Sequence, residues 1–181
     1  FLNQATFGAT EAEAQRLQSL GDASNAYARW IDAQLQQPVS LPLPHVQAVY
    51  ATLPQPVQNI GRLNNDRVDI WFRNVVNGPD QLRQRVAFAL SEIMVVSQQS
   101  ALQNTPYALA DYYDLLARDA FGDFRQLMED VTLHPAMGVY LSMLGNQKPD
   151  AARNIRPDEN YARELMQLFT IGLVQLNLDG T

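Results

Sequence analysis

Residues 82–96 read Leu-Arg-Gln-Arg-Val-Ala-Phe-Ala-Leu-Ser-Glu-Ile-Met-Val-Val. When this stretch is wound into a helix, apolar side chains fall nearly all round it, which is typical of a helix that is buried on most sides. We therefore predict a central buried helix over about 82–96, around which the other elements of the fold pack.

The segments on either side also show helical spacing. No run of strand length alternates strictly between apolar and polar residues, and no internal repeat is present. The span 38–57 is rich in proline and is predicted to be a loop with at most a short helix around 46–53. These patterns predict one all-α, irregular multi-helix domain over residues 1–181. Its helices should begin at Thr10, Ser24, Pro106, Asp123, Pro135 and Pro157.

Composition excludes several classes of protein. The chain has 181 residues, 46% of them hydrophobic and 18% charged, which is typical of a folded globular protein. Its net charge of −6 excludes the basic surface with which proteins bind nucleic acid. There is no cysteine, so thiolate zinc sites and disulfides are excluded, and no apolar run approaches the length of a transmembrane helix.

The densest group of polar side chains lies in residues 154–164, Asn-Ile-Arg-Pro-Asp-Glu-Asn-Tyr-Ala-Arg-Glu. Glu159 and Glu164 are candidates for a general acid and base, Arg163 for a clamp on an anionic group, and Asn160 for a further binding residue. The simpler alternative is a solvated helix face, since Glu159 and Arg163 have the spacing of an ordinary surface ion pair.

Three residues elsewhere are weaker candidates. His134 lies at a predicted junction between two helices, where it could hydrogen-bond a helix terminus or act as a general base. Arg85 and Glu92 lie two turns apart on the predicted central helix, and we expect a partly buried pair that fixes its position rather than a binding site. No phosphate-binding loop, nucleophile elbow or His-Glu-x-x-His motif is present, so we predict neither a cofactor nor a metal.

Several blocks, in order, resemble the bacterial family catalogued as domain of unknown function 1800. The blocks are residues 1–8, 30–34, 82–97, 120–125, 132–141 and 159–172, and the last is the most specific. Arg85, Glu92, His134, Glu159, Asn160, Arg163 and Glu164 occupy positions of these motifs. The resemblance implies no catalytic role, because no activity is assigned to the family. It does imply that this segment is the N-terminal part of a longer, exported protein, periplasmic or secreted.

Three hypotheses about function follow. An exported hydrolase of an envelope polymer would hold Glu159 and Glu164 as a partly desolvated pair in a cleft, with Arg163 as the clamp. A binding or assembly protein of the envelope, with another exported protein or an envelope polymer as its partner, would expose apolar surface beside the polar face. If the motif is purely structural, these side chains should be held by hydrogen bonds to other helices.

Overall fold

Helices and the loops between them make up the described part of the chain, which is residues 1–54 and 60–181 of the computed structural model. Within these residues there is no β-strand, and one isolated bridge pairs Asp150 with Ile155. The prediction of an all-α fold is confirmed. The helices are α1 Leu2–Ala5, α2 Glu11–Ser19, α3 Ala23–Leu35, α4 Pro42–Ala51, α5 Ile60–Asn77, α6 Gln81–Ile93, α7 Pro106–Asp119, α8 Phe124–Leu133, α9 Pro135–Tyr140 and α10 Asn160–Met166, and a π-helical turn follows over Gln167–Ile171.

Most of the predicted helix starts agree with the structure, and α3 is an exception. Ser24 was expected to cap this helix, but the cap is Asp22, whose carboxylate accepts a hydrogen bond from the Asn25 N–H. The Ser24 hydroxyl donates to the same carboxylate. A charged acceptor interacts more strongly than a hydroxyl with the positive end of a helix, which explains why the earlier residue is the cap.

The predicted proline-rich loop contains a longer helix than expected. Helix α4 begins at Pro42, because proline at the first helical position loses no hydrogen bond there. Residues 55–57, at the end of the predicted loop, lie outside the described residues.

The most buried helix is α7 rather than α6. In α6 only Gln84 and Ala87 are buried, whereas α7 buries eight residues and contacts α4, α5, α6, α8 and α9. The expectation of a central helix at 82–96 was wrong in this respect. Ala89 and Ile93 of this helix are exposed, and the long side chains of Arg83 and Arg85 carry part of its surface toward water. None of the helices in the described residues combines the length and apolar character needed to cross a membrane.

A fully buried carboxylate joins the start of α6 to the segment before α4. Asp80 accepts hydrogen bonds from the Ser40 N–H at 2.9 Å, from the Ser40 hydroxyl at 2.7 Å and from the Gln84 side-chain amide at 3.0 Å. The Gln84 amide also donates to the Ser40 carbonyl oxygen. A buried charge is tolerated when several donors surround it, so Asp80 holds these two segments together.

A second buried side chain ties α3 to the same region. The Gln34 amide nitrogen donates to the Pro79 carbonyl oxygen, and its oxygen accepts from the Leu82 N–H, both at 3.1 Å. Gln34 therefore satisfies a backbone carbonyl of the α5–α6 connection and a backbone N–H of the first turn of α6, a group that has no partner within its own helix.

Replacing Gln34 by leucine should lower the free energy of unfolding by about 2 kcal/mol, because one backbone donor and one backbone acceptor lose their partner. Chemical denaturation measures the change. Gln36→Leu, at an exposed position of the same helix end, is the matched control and should change stability by less than about 0.5 kcal/mol. Equal effects of the two substitutions would contradict this role of Gln34.

Helix α7 also carries a buried carboxylate. Asp114 is 1% exposed and accepts a hydrogen bond from the Leu43 N–H at 3.3 Å. Burial raises the pKa of Asp114 to about 7, and the bond from Leu43 opposes this shift only in part.

This pKa predicts a pH dependence of stability. Because the folded-state pKa lies above the unfolded value of about 3.9, the folded protein retains the proton longer, and the Asp114 contribution to unfolding free energy falls as pH rises from about 4 to 7. Asp114→Asn should remove this contribution to the pH dependence of the unfolding free energy. The stability of the variant relative to wild type should therefore increase between about pH 5 and pH 8. Thermal unfolding at both pH values checks this. Asp69→Asn, which removes an exposed carboxylate of α5, should leave the slope unchanged.

Candidate functional site

The polar residues 154–164 form an exposed turn and the first part of α10. The helix was predicted to begin at Pro157, but it begins at Asn160. The reason is a side chain from the preceding loop: Asn146 donates to the Asp158 carbonyl oxygen and accepts from the Asp158 N–H. Asp158 in turn accepts from the Asn160 N–H at 2.8 Å, which forms a local turn just before the helix.

Three of the four predicted site residues in this turn contact one another. Arg163 lies 3.7 Å from the Glu159 carboxylate and donates a hydrogen bond of 3.3 Å to the Asn160 side-chain oxygen. The Glu159 and Arg163 side chains are 75% and 50% exposed. These interactions remain within one helix start, so they do not attach it to another helix.

Glu164 is separate from this group. It is half-buried, and its side chain makes no hydrogen bond or ion pair with another described residue. Because each helical residue advances about 100°, side chains five positions apart point about 140° away from each other. Glu159 and Glu164 are therefore poorly arranged to act on one bond.

Tyr161 anchors this helix start to the core. Its ring is buried, and its hydroxyl forms a 2.6 Å hydrogen bond with the Thr132 hydroxyl of α8. Beyond it, α10 passes into the π-helical turn, and Gly172 ends that turn at a φ of +75°, which glycine adopts without strain. Phe169 of this stretch is buried, whereas other apolar side chains are exposed, among them Met166, Leu168, Ile171, Leu173 and Val174.

His134 connects α8 to α9. Its Nδ1 accepts a hydrogen bond from the Ala136 N–H, so the side chain caps α9. The Nε2 atom therefore carries the proton of the neutral ring, and it lies 3.4 Å from the Asp111 carboxylate. Burial lowers the pKa of His134, while Asp111 acts in the opposite direction. The arrangement is that of a junction histidine which satisfies a helix terminus.

Near His134, two acids of neighbouring helices share one surface pocket. Asp119 of α7 and Asp130 of α8 both line it. Burial, together with the neighbouring Asp130, raises the pKa of Asp119. Among the residues that the structure describes, no three His, Asp or Glu side chains converge closely enough to hold a metal ion.

Arg85 and Glu92 do not form the expected pair. Arg85 is half-buried, donates to the Gln4 carbonyl oxygen at 3.4 Å and lies over the ring of Phe7, whereas Glu92 is exposed. The prediction was wrong because α1 and the residues after it pack against α6 and supply partners for the guanidinium. That contact joins residues about eighty positions apart and leaves no local pattern in the sequence.

An open groove with a volume of about 450 Å³ lies between α5, α6 and α7. Such a volume is within the usual range of small-molecule sites, roughly 300–1,000 Å³. Its walls carry five aromatic rings, which belong to Trp71, Phe72, Phe88, Tyr112 and Tyr113. Its polar lining residues are Arg67, Ser91, Glu92, Ser97 and Gln98. Of the residues predicted to form a site, Glu92 alone lies here.

Trp71 is the centre of the aromatic wall. Its ring meets Phe72 edge-to-face at 4.9 Å between centroids and meets Tyr113 in the same way at 6.3 Å. The Phe72 ring is 55% exposed at the mouth of the groove. A ligand that covered this ring would remove apolar surface from water, which is a direct source of binding free energy.

Two polar atoms of the groove are incompletely hydrogen-bonded. Tyr113 Oη is buried and forms no well-aligned hydrogen bond to another described residue, although the Trp71 side chain lies beside it, and burial raises the pKa of this hydroxyl to about 12. The Arg67 guanidinium donates one hydrogen bond of 2.6 Å to the Gln98 side-chain oxygen, while its Nε finds no acceptor. Burial lowers the pKa of Arg67, as expected for a cation partly removed from water.

The fold and the groove together define an all-α protein with an open cavity of ligand size. The family model described as protein of unknown function (DUF1800) matches residues 1–178, and the chain belongs to this family. No curated protein and no solved structure matches the chain.

The geometry of the 154–164 turn predicts a small effect of Arg163→Ala on stability. An exposed ion pair contributes at most about 0.5 kcal/mol, so the change in unfolding free energy should stay below that value. Tyr161→Phe, which removes the buried hydroxyl bond to Thr132 in the same helix, should cost about 1 kcal/mol and serves as the positive control. A loss of 2 kcal/mol or more in Arg163→Ala would show that the residue has a structural partner.

Proposed function

We propose that this chain is a ligand-binding module of an exported bacterial protein of the cell envelope. The observation that carries the proposal is the groove, because it combines ligand-sized volume, an aromatic wall and polar atoms that are incompletely hydrogen-bonded. The bacterial, exported setting is part of the proposal and follows from the setting suggested for the family as a whole.

The exposed apolar side chains beyond the polar turn also support a binding role. Five large apolar side chains within nine residues are more than half exposed, and exposed apolar surface is typical of sites where proteins bind other molecules. The alternative of an exported hydrolase has less support, because Glu159 is exposed and neither Glu159 nor Glu164 lines the groove. A general acid with a raised pKa needs a desolvated environment, and the 154–164 turn does not supply one for Glu159.

Binding of an uncharged aromatic probe, phenyl-naphthylamine, tests the proposal by fluorescence titration. Phe72→Ala should weaken binding about eightfold, since a probe that covers roughly 50 Å² of this ring at about 25 cal/mol per Å² gains about 1.2 kcal/mol. Phe124→Ala is the matched control, because that ring is 53% exposed and lies outside the groove.

The two variants lose the same chemical group at equal exposure, so they separate groove binding from general adsorption to apolar surface. The expected result is weaker binding in Phe72→Ala and unchanged binding in Phe124→Ala. Equal affinity in both variants, or no binding to the wild-type protein, would overturn the assignment of the groove as the binding site.

A further inference from the structure

We propose that the groove selects an organic anion, a molecule with an apolar ring-bearing body and one carboxylate or sulfonate group that pairs with Arg67. This inference rests on the ligand-binding role proposed above and adds the chemical class of the ligand. It follows from the two charged side chains of the groove: the cation, Arg67, is half-buried, whereas the anion, Glu92, is exposed.

Arg67 is the cation of the groove and lacks an anionic partner. No carboxylate oxygen of a described residue lies within 4.0 Å of its guanidinium nitrogens. Its one hydrogen bond is to the neutral side chain of Gln98. A cation that is partly removed from water without a counter-ion costs free energy, and an anion bound beside it recovers part of that cost.

The chemistry of the guanidinium fits this role. Arginine remains charged under all conditions in which proteins fold, and its planar group binds carboxylates and similar oxyanions through two parallel hydrogen bonds. The bond from Nη2 to Gln98 restrains the orientation of the group before a ligand arrives. Such preorganisation reduces the loss of conformational entropy on binding.

The other charged side chain of the groove does not reverse this preference. Glu92 is exposed, so water screens its charge, whereas Arg67 is half-buried and acts through a less polar environment. For a cationic ligand the two interactions oppose each other. The aromatic wall would attract the cation, but the poorly screened positive charge of Arg67 would repel it. The groove therefore favours a negative over a positive ligand.

The aromatic wall accounts for the remainder of the ligand. Trp71 and Phe72 lie on the same helix as Arg67, four and five residues further along, so the cation and the rings line one stretch of the groove. A ligand bound there would place a flat apolar body on the rings while its charged end reaches the guanidinium. An anion without an apolar body would gain only the ion pair.

Two fluorescent probes that differ by one charged group test this inference on the whole chain. Anilinonaphthalene sulfonate carries the sulfonate, and phenyl-naphthylamine has the same ring system without it. The wild-type protein should bind the sulfonate about tenfold more tightly, as expected for one charge-assisted contact. Arg67→Gln should remove that advantage and leave the affinity for the neutral probe within about twofold. Arg73→Gln, an exposed arginine of α5 outside the groove, should change neither affinity.

A second substitution guards against a change in fold. Arg67→Lys keeps the positive charge and loses the planar group, so it should retain part of the preference for the sulfonate. Phe72→Ala should weaken the binding of both probes if both occupy the groove. Circular dichroism and thermal unfolding confirm that the variants compared are folded.

The outcomes separate the two proposals. If the neutral probe binds in the groove but the sulfonate binds no more tightly, or if Arg67→Gln keeps the preference, the inference of an anionic ligand is overturned while the ligand-binding role stands. If neither probe binds, or if Phe72→Ala affects neither, the ligand-binding role fails and this inference fails with it.

Discussion

The burial of Asp80 is the constraint on which the arrangement of the helices depends. A carboxylate with no exposed surface is tolerable only where donors surround it, and here Ser40 and Gln84 supply them. These bonds fix the start of α6 against the segment that leads into α4. Because α6 forms one wall of the groove, the same contacts determine where that wall stands relative to α5 and α7.

Local patterns were sufficient to predict the class of fold and most helix starts. Thr10 and Asp123 cap their helices as expected, because a cap acts on residues two or three positions away. Which helix is the most buried was not predictable from such local patterns. Helix α7 is the most buried helix although it contains Asp114, whose carboxylate is satisfied by the backbone of Leu43 about seventy residues earlier. A sequence shows the isolated acid among apolar neighbours, but it does not show the partner.

The candidate site also shows that local sequence patterns do not reveal contacts between distant residues. The polar density of residues 154–164 pointed to Glu159, Asn160 and Arg163, whose side chains interact with one another at the start of a single helix. The groove combines residues from four helices and the loop after α6, and its members Arg67, Phe88 and Tyr113 are far apart in sequence. Side-chain density is therefore a poor guide to a cavity, because a cavity is a property of how helices pack and not of any one helix. A detectable signal was present in α5, where Arg67 precedes Trp71 and Phe72 by one turn, but the same spacing is typical of an ordinary core helix.

Asp80 and Arg67 differ in how far the fold satisfies their charged groups, and this difference distinguishes the groove from the rest of the described structure. Both side chains carry charge away from bulk water, yet the fold surrounds Asp80 with donors and leaves Arg67 with one neutral acceptor. Unpartnered polar atoms also occur elsewhere, as at Arg83 Nε, but that guanidinium donates to backbone carbonyl groups and stacks on Phe121. Arg67 differs because its incomplete bonding coincides with an open, aromatic cavity. A buried polar atom without a partner calls for an explanation, such as a bound water, an ion or a ligand. The position of this imbalance is the reason for proposing a ligand site in the groove rather than at the polar turn.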